Sequence, residues 1–264
     1  MSKLKFFIFL GVTTVSAIIV KCIQIAFLTN AQNGFFYNDF ETLGHLLTAL
    51  VVAATAICAL FGSFIKDREL SPIPKSNALF GSAAFLLGIS QITEIFTYKV
   101  NLAGVPNTLL FLRTASILGS GVVFCYVGIY CFIKKKCNFN YIPISVIAWI
   151  LRLITTFISF SGMSNISDNL YDVLCISATL VFLLFHSKML CGLYKSKNTT
   201  VIFTIGAVAF ILCAVNVVPK ILLPILSVKG FAHTHTDSPL VLLFMAFYIL
   251  FYLLNISGNK AETR

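Results

Sequence analysis

Between Tyr141 and Gly162 the chain reads YIPISVIAWILRLITTFISFSG, a run in which Arg152 is the only charged residue. A helix of that length is about 33 Å long at 1.5 Å per residue, enough to cross a hydrocarbon core of roughly 30 Å. Its polar residues are ordered: Ser145, Trp149, Arg152, Thr155, Thr156 and Ser159 recur at intervals of three and four. A helix lines them up on one side. The stretch therefore predicts a membrane span with an apolar back and a polar face that carries a cation at mid-depth.

Working outward, seven further stretches have the length and composition of spans: Phe6–Thr29, Thr42–Ile65, Asn77–Tyr98, Thr108–Ile133, Leu170–Leu190, Thr199–Leu222 and Pro239–Ser257. The whole composition agrees, since 58% of the 264 residues are hydrophobic and 11% are charged, against about a quarter charged in soluble domains. Disorder and a water-soluble globule are both excluded by that balance. The expected fold is all-α, a polytopic membrane helix bundle with eight transmembrane helices. The short connectors leave no room for a separate soluble domain, so residues 1–264 form a single integral membrane domain.

A faint internal likeness suggests two parallel four-helix repeats, 1–137 and 138–264. Gly81–Leu87 (GSAAFLL) resembles Gly206–Leu212 (GAVAFIL), Gln91 then falls opposite Asn216, and Lys21 falls opposite Arg152. Chance is the competing reading, because apolar segments draw on a small alphabet.

Orientation follows from the basic residues, which cytoplasmic loops retain. With the N-terminus inside, inner segments hold Lys3, Lys5, Lys66, Arg68, Lys75, Lys134, Lys135, Lys136, Lys188, Lys195, Lys197, Lys260 and Arg264, while outer loops hold only Lys99 and Lys229. Both termini are expected in the cytoplasm, with the lipid bilayer as the chain's first partner. The net charge of +10 is this inner-face bias and implies no nucleic acid, since no basic groove with interleaved aromatics is present. A signal-peptidase reading of Val15-Ser16-Ala17 competes for the first span, but the apolar run continues to Leu28 and favours a retained helix.

The remaining basic residues, Lys21, Arg113, Arg152 and Lys220, lie within spans, as do Glu94 and Asp172. An intramembrane charge costs about 2.5–3.5 kcal/mol on insertion scales and so points to pairing or to a site. All six fall in the outer parts of their helices, joined by Gln24, His45, Gln91 and Asn216. Lys21 and Arg152 are too deep for comfortable snorkelling and should face the bundle interior. Gly81, Ala84, Gly88, Gln91 and Glu94 form a stripe of small residues ending in polar ones, suited to close helix approach. Pro219, beside Asn216 and Lys220, suggests a local break in the seventh span.

Two readings of these charges compete. One is structural pairing across outer hairpins: Lys21 with Glu41, Glu94 with Arg113, and Arg152 with Asp172. The other notes four embedded bases against two embedded acids, a surplus that would draw a small anion or lipid head group into an outward-facing polar pocket. There Lys21 and Arg152 would bind the anion, and Glu94, Gln91 and Asn216 would set selectivity or couple a proton. The expected function is accordingly permease-like or ligand-binding, with a non-transporting accessory subunit, sensor or scaffold as the alternative. A third reading, a lipid-modifying enzyme, would draw on Glu41, His45, Glu94 and Asp172.

Other signals are weaker. His233, His235 and Asp237 alternate in the outer loop before the last span and could face one metal, although such a tract is more often a solvated loop. Asn165-Ile-Ser167 is a sequon with meaning only in a secretory pathway. His186 reads as a residue of the inner membrane interface. The eight cysteines include no C-x-x-C pair and none in an outer loop, and read as small packing residues. There is no phosphate-binding Gly-rich loop, no G-x-S-x-G elbow and no H-E-x-x-H helix, so no cofactor is implied and an enzyme is the less favoured class.

At Lys21, Gln24 and Gly34-Phe35-Phe36 the first hairpin resembles a group of uncharacterised multi-pass membrane proteins from clostridial-type bacteria. Those proteins carry Asp-Pro-x-Thr where this chain has Asn30-Ala31-Gln32-Asn33. The resemblance implies no particular activity; the wealth of Phe, Ile, Lys and Asn also fits an AT-rich bacterial genome, which would place the protein in a plasma membrane.

Overall fold

The computed structural model describes residues 3–30, 35–64, 74, 77–97, 104–133, 139–160, 167–193, 199–226 and 238–258. Among the described residues it is a bundle of eight helices, each long and apolar enough to cross a membrane. They are α1 (Lys3–Ile23), α2 (Glu41–Ser63), α3 (Ala78–Thr97), α4 (Asn107–Ile133), α5 (Pro143–Phe160), α6 (Ser167–Leu190), α7 (Thr199–Ile225) and α8 (Pro239–Gly258). The expected spans hold, with every boundary within three residues once the π-turn that continues the first helix to Leu28 is counted.

Each helix buries one stripe and turns apolar side chains outward. In α1 the stripe is Phe6, Leu10, Thr14, Ala17 and Lys21, while Ile8, Val12, Val15 and Ile19 are exposed. In α5 it is the sequence-predicted set, with Ser145, Trp149, Arg152, Thr155, Thr156 and Ser159 all buried. Many hydroxyls on these stripes donate to the preceding turn, as Thr14 does to the Leu10 carbonyl at 2.7 Å and Thr55 to that of Val51 at 2.8 Å. In lipid, where water cannot serve them, this satisfies the polar group within its own helix.

Neighbours in sequence run antiparallel. The tightest packing is between α3 and α4, where Gly81 and Gly88 face Gly128 and Gly121. A β-carbon on Gly88 would lie 2.6 Å from the Gly121 carbonyl oxygen, so the backbones touch because both sides lack one. From there a circuit of packed neighbours runs α3–α4–α5–α6–α7–α8 and returns to α3. Helices α1 and α2 pack on α7 outside that ring. Helix α7 packs extensively on α1, α2, α6 and α8, and α3 on α4 and α8.

The ends of the helical array meet on one face, where Lys3 Nζ donates to the Ser257 carbonyl at 2.7 Å. We call this the terminal face and the other, carrying the α1–α2, α3–α4, α5–α6 and α7–α8 connections, the hairpin face. Two backbone features differ from expectation. Helix α7 runs unbroken through Pro219 and Pro224, because neighbouring helices hold the turn around a missing amide donor. The irregularity lies in the first span, where α1 widens after Ile23 into a π-turn at Gln24–Leu28, within a turn of Lys21.

Candidate functional site

Two buried polar groups occupy the hairpin-face half of the bundle. The first is centred on Glu94, one turn from the end of α3. Its Oε2 accepts a hydrogen bond from Arg152 Nη2 of α5 at 2.6 Å, and its Oε1 lies 3.9 Å from Arg113 Nη2 of α4. All three side chains are 3% exposed or less. Arg152 starts from the middle of α5, where its guanidinium also lies 5.0 Å from the Trp149 ring centroid. Gln91, one turn below Glu94, is buried and approaches Gly121 of α4.

The second group joins α6 to α7. Asp172 Oδ1 accepts from Asn216 Nδ2 at 2.7 Å and from Lys220 Nζ at 2.8 Å. Beside it, the Lys21 ammonium of α1 sits 4.0 Å from the centroid of the Tyr171 ring, a cation–π contact that lets a buried cation face carbon. Lys21 is 1% exposed, so it turns inward as its depth required. Gln24 has a different role: its Nε2 donates to the Gly44 carbonyl and to Thr48 Oγ1, at 2.9 and 2.7 Å, tying the π-turn to α2.

Of the hairpin pairs expected from sequence, Glu94–Arg113 forms as the longer arm of the Glu94 group. Asp172 engages α7 in place of Arg152, and Arg152 turns to α3. Glu41 pairs with His45 instead of Lys21, across one turn of α2 at 3.7 Å, and both side chains are at least 60% exposed. His45 therefore belongs to the bundle surface, edge-on to Phe36, and not to the buried groups. Glu41 and His45 are thus exposed, whereas Glu94 and Asp172 are turned inward and engaged with basic side chains. His233, His235, Asp237 and Asn165 of the sequon lie outside the described residues. Among the described residues, no cluster of three or more His, Cys, Asp and Glu side chains is arranged for a metal.

The terminal-face half holds a feature that sequence reasoning missed. His186 is fully buried, with Nε2 2.7 Å from the Tyr248 hydroxyl. Its ring stacks on Phe182 and meets Tyr252 edge-on at 4.2 Å. Phe80 of the adjacent α3 and Phe124 of α4 also pack on Tyr248. A histidine near a helix end looked like an interface residue. Its neighbours Phe182, Tyr248 and Tyr252 at helical spacing were the available signal, but spans rich in Phe and Tyr offer many such patterns. Compared with known proteins, the chain matches no family model, no curated protein and no solved structure.

Proposed function

We propose that this multi-pass membrane protein is permease-like and solute-binding, and that its hairpin-face polar groups recognise a small anion of the carboxylate or phosphate class. The observation that carries the reading is the convergence of two guanidiniums, from Arg113 and Arg152, on the single buried carboxylate of Glu94. The three groups together carry a net positive charge in a low-dielectric setting, and guanidinium forks suit planar oxyanions. Nearby polar atoms favour the same conclusion. Gln91 Oε1, Thr156 Oγ1, Ser120 Oγ and Asn216 Oδ1 are buried without a hydrogen-bond partner among the described residues. Such groups are costly unless water or solute meets them. The aromatic block around His186 would close the route toward the terminal face, leaving the hairpin face as the side of entry, outward by the distribution of Lys and Arg.

A second reading, a non-transporting component with structural ion pairs, is favoured by the closeness of the Arg152–Glu94 and Lys220–Asp172 contacts. One experiment separates them. Purified protein in lipid nanodiscs is heated with inorganic phosphate, acetate or a soluble glycerophosphate, and proteoliposomes are assayed for uptake of whichever anion stabilises. The permease reading expects one anion to raise the unfolding temperature, and Arg113→Gln or Lys21→Met to remove that shift in protein that still folds. No shift with any of the three, or a shift that survives both substitutions, overturns it in favour of the structural reading.

A further inference from the structure

We propose that Cys175 and Cys213 are an oxidisable dithiol, a modification site that closes into a disulfide between α6 and α7. Their sulfurs are 3.3 Å apart across the helix interface. Both residues are fully buried, and Thr179 Oγ1 lies 3.2 Å from Cys213 Sγ, which holds that thiol in place. The pair sits one turn below the Asp172–Asn216 hydrogen bond, Cys175 three residues after Asp172 and Cys213 three before Asn216. The backbones are therefore already fixed at close range by an interhelical contact. An S–S bond is ~2.05 Å long, so closure asks the sulfurs to approach by about 1.2 Å. Cys125 and Cys191 are placed differently, each aimed at a carbonyl oxygen, of Phe85 and Phe139, at 3.9 Å.

The thiols lie inside the bundle at membrane depth, which excludes ionic oxidants. The oxidant is an uncharged two-electron acceptor that enters lipid, either a quinone or hydrogen peroxide. Two S–H bonds break and one S–S bond forms. The two electrons and two protons released convert a quinone to its hydroquinone, or hydrogen peroxide to two waters. The closed bond staples α6 to α7 directly beneath Asp172 and Lys220, so the oxidation state sets how far those helices can part. This stands whether or not the polar groups take an anion.

The test uses the full chain in native membrane vesicles, treated with hydrogen peroxide or a short-chain benzoquinone, then unfolded in detergent with N-ethylmaleimide and analysed by peptide mass spectrometry. The expected result is a linked peptide pair containing Cys175 and Cys213, two hydrogens lighter than the separate peptides, with Cys58 and Cys125 still alkylated. Reduction restores labelling, and Cys175→Ser leaves Cys213 labelled; should that variant fail to fold, the wild-type peptides decide alone. A response to one oxidant only supports the proposal and identifies the source. Full alkylation of both thiols after both oxidants, at doses that exhaust an added free thiol, overturns it, as does linkage of either cysteine to another partner.

Discussion

Glu94 is the residue on which two arginines of other helices converge. Removing one member of a buried ion pair strands the other charge, at a cost of about 3–5 kcal/mol. Glu94→Gln should therefore lower the unfolding temperature of the purified protein sharply. Combining it with Arg152→Gln should recover part of the loss, and simple additivity in that double-mutant cycle would show that the two side chains do not act as a pair. Glu41→Gln is the contrast: its pair with His45 is exposed, and the stability change should stay within about 0.5 kcal/mol. At this scale the sequence revealed which residues turn inward, because Arg152 and its stripe share a helical face. Of their partners it revealed Glu94 for Arg113 and missed Glu94 for Arg152 and Lys220 for Asp172. Pairing across hairpins was the natural expectation, but Arg152 reaches Glu94 two helices back because α3 and α5 both border α4 in the closed ring.

Among the elements, α3 and α4 make the sharpest prediction. Gly88→Ala places a β-carbon 2.6 Å from backbone and sulfur atoms that cannot easily move. Overpacking of this kind costs about 1–3 kcal/mol, and it should appear as a lower melting temperature. Gly11→Ala, where nothing lies within 4 Å, should leave that temperature unchanged or slightly raised. The α3 half of this contact was legible as a small-residue stripe. The answering glycines of α4, Gly121 and Gly128, went unread because a stripe on one helix does not say which neighbour fills it. The π-turn after Lys21 left no trace in the sequence either, since a single shifted hydrogen bond needs no special residue. Pro219 gave the opposite error, a helix breaker accommodated by surrounding packing.

For the whole molecule, the Lys3–Ser257 contact and the basic residues lead to one topological prediction. Epitope tags at both ends should bind antibody only after cells are permeabilised, while a tag inserted between α3 and α4 should bind on intact cells. A terminal tag reached from outside would reverse the assignment of faces. The number and limits of the spans were readable because lipid imposes a length on every helix. The ring and the outlying position of α1 and α2 were not, because in a bilayer lipid-facing and helix-facing surfaces are both apolar and periodicity says little about neighbours. The Trp149 contact has a practical consequence. The chain contains one tryptophan, and its indole is buried 5.0 Å from the Arg152 guanidinium. The protein thus carries a built-in fluorophore whose emission colour and quenching, excited selectively beyond the tyrosine band, report on the hydration and charge beside it with no label and no second tryptophan.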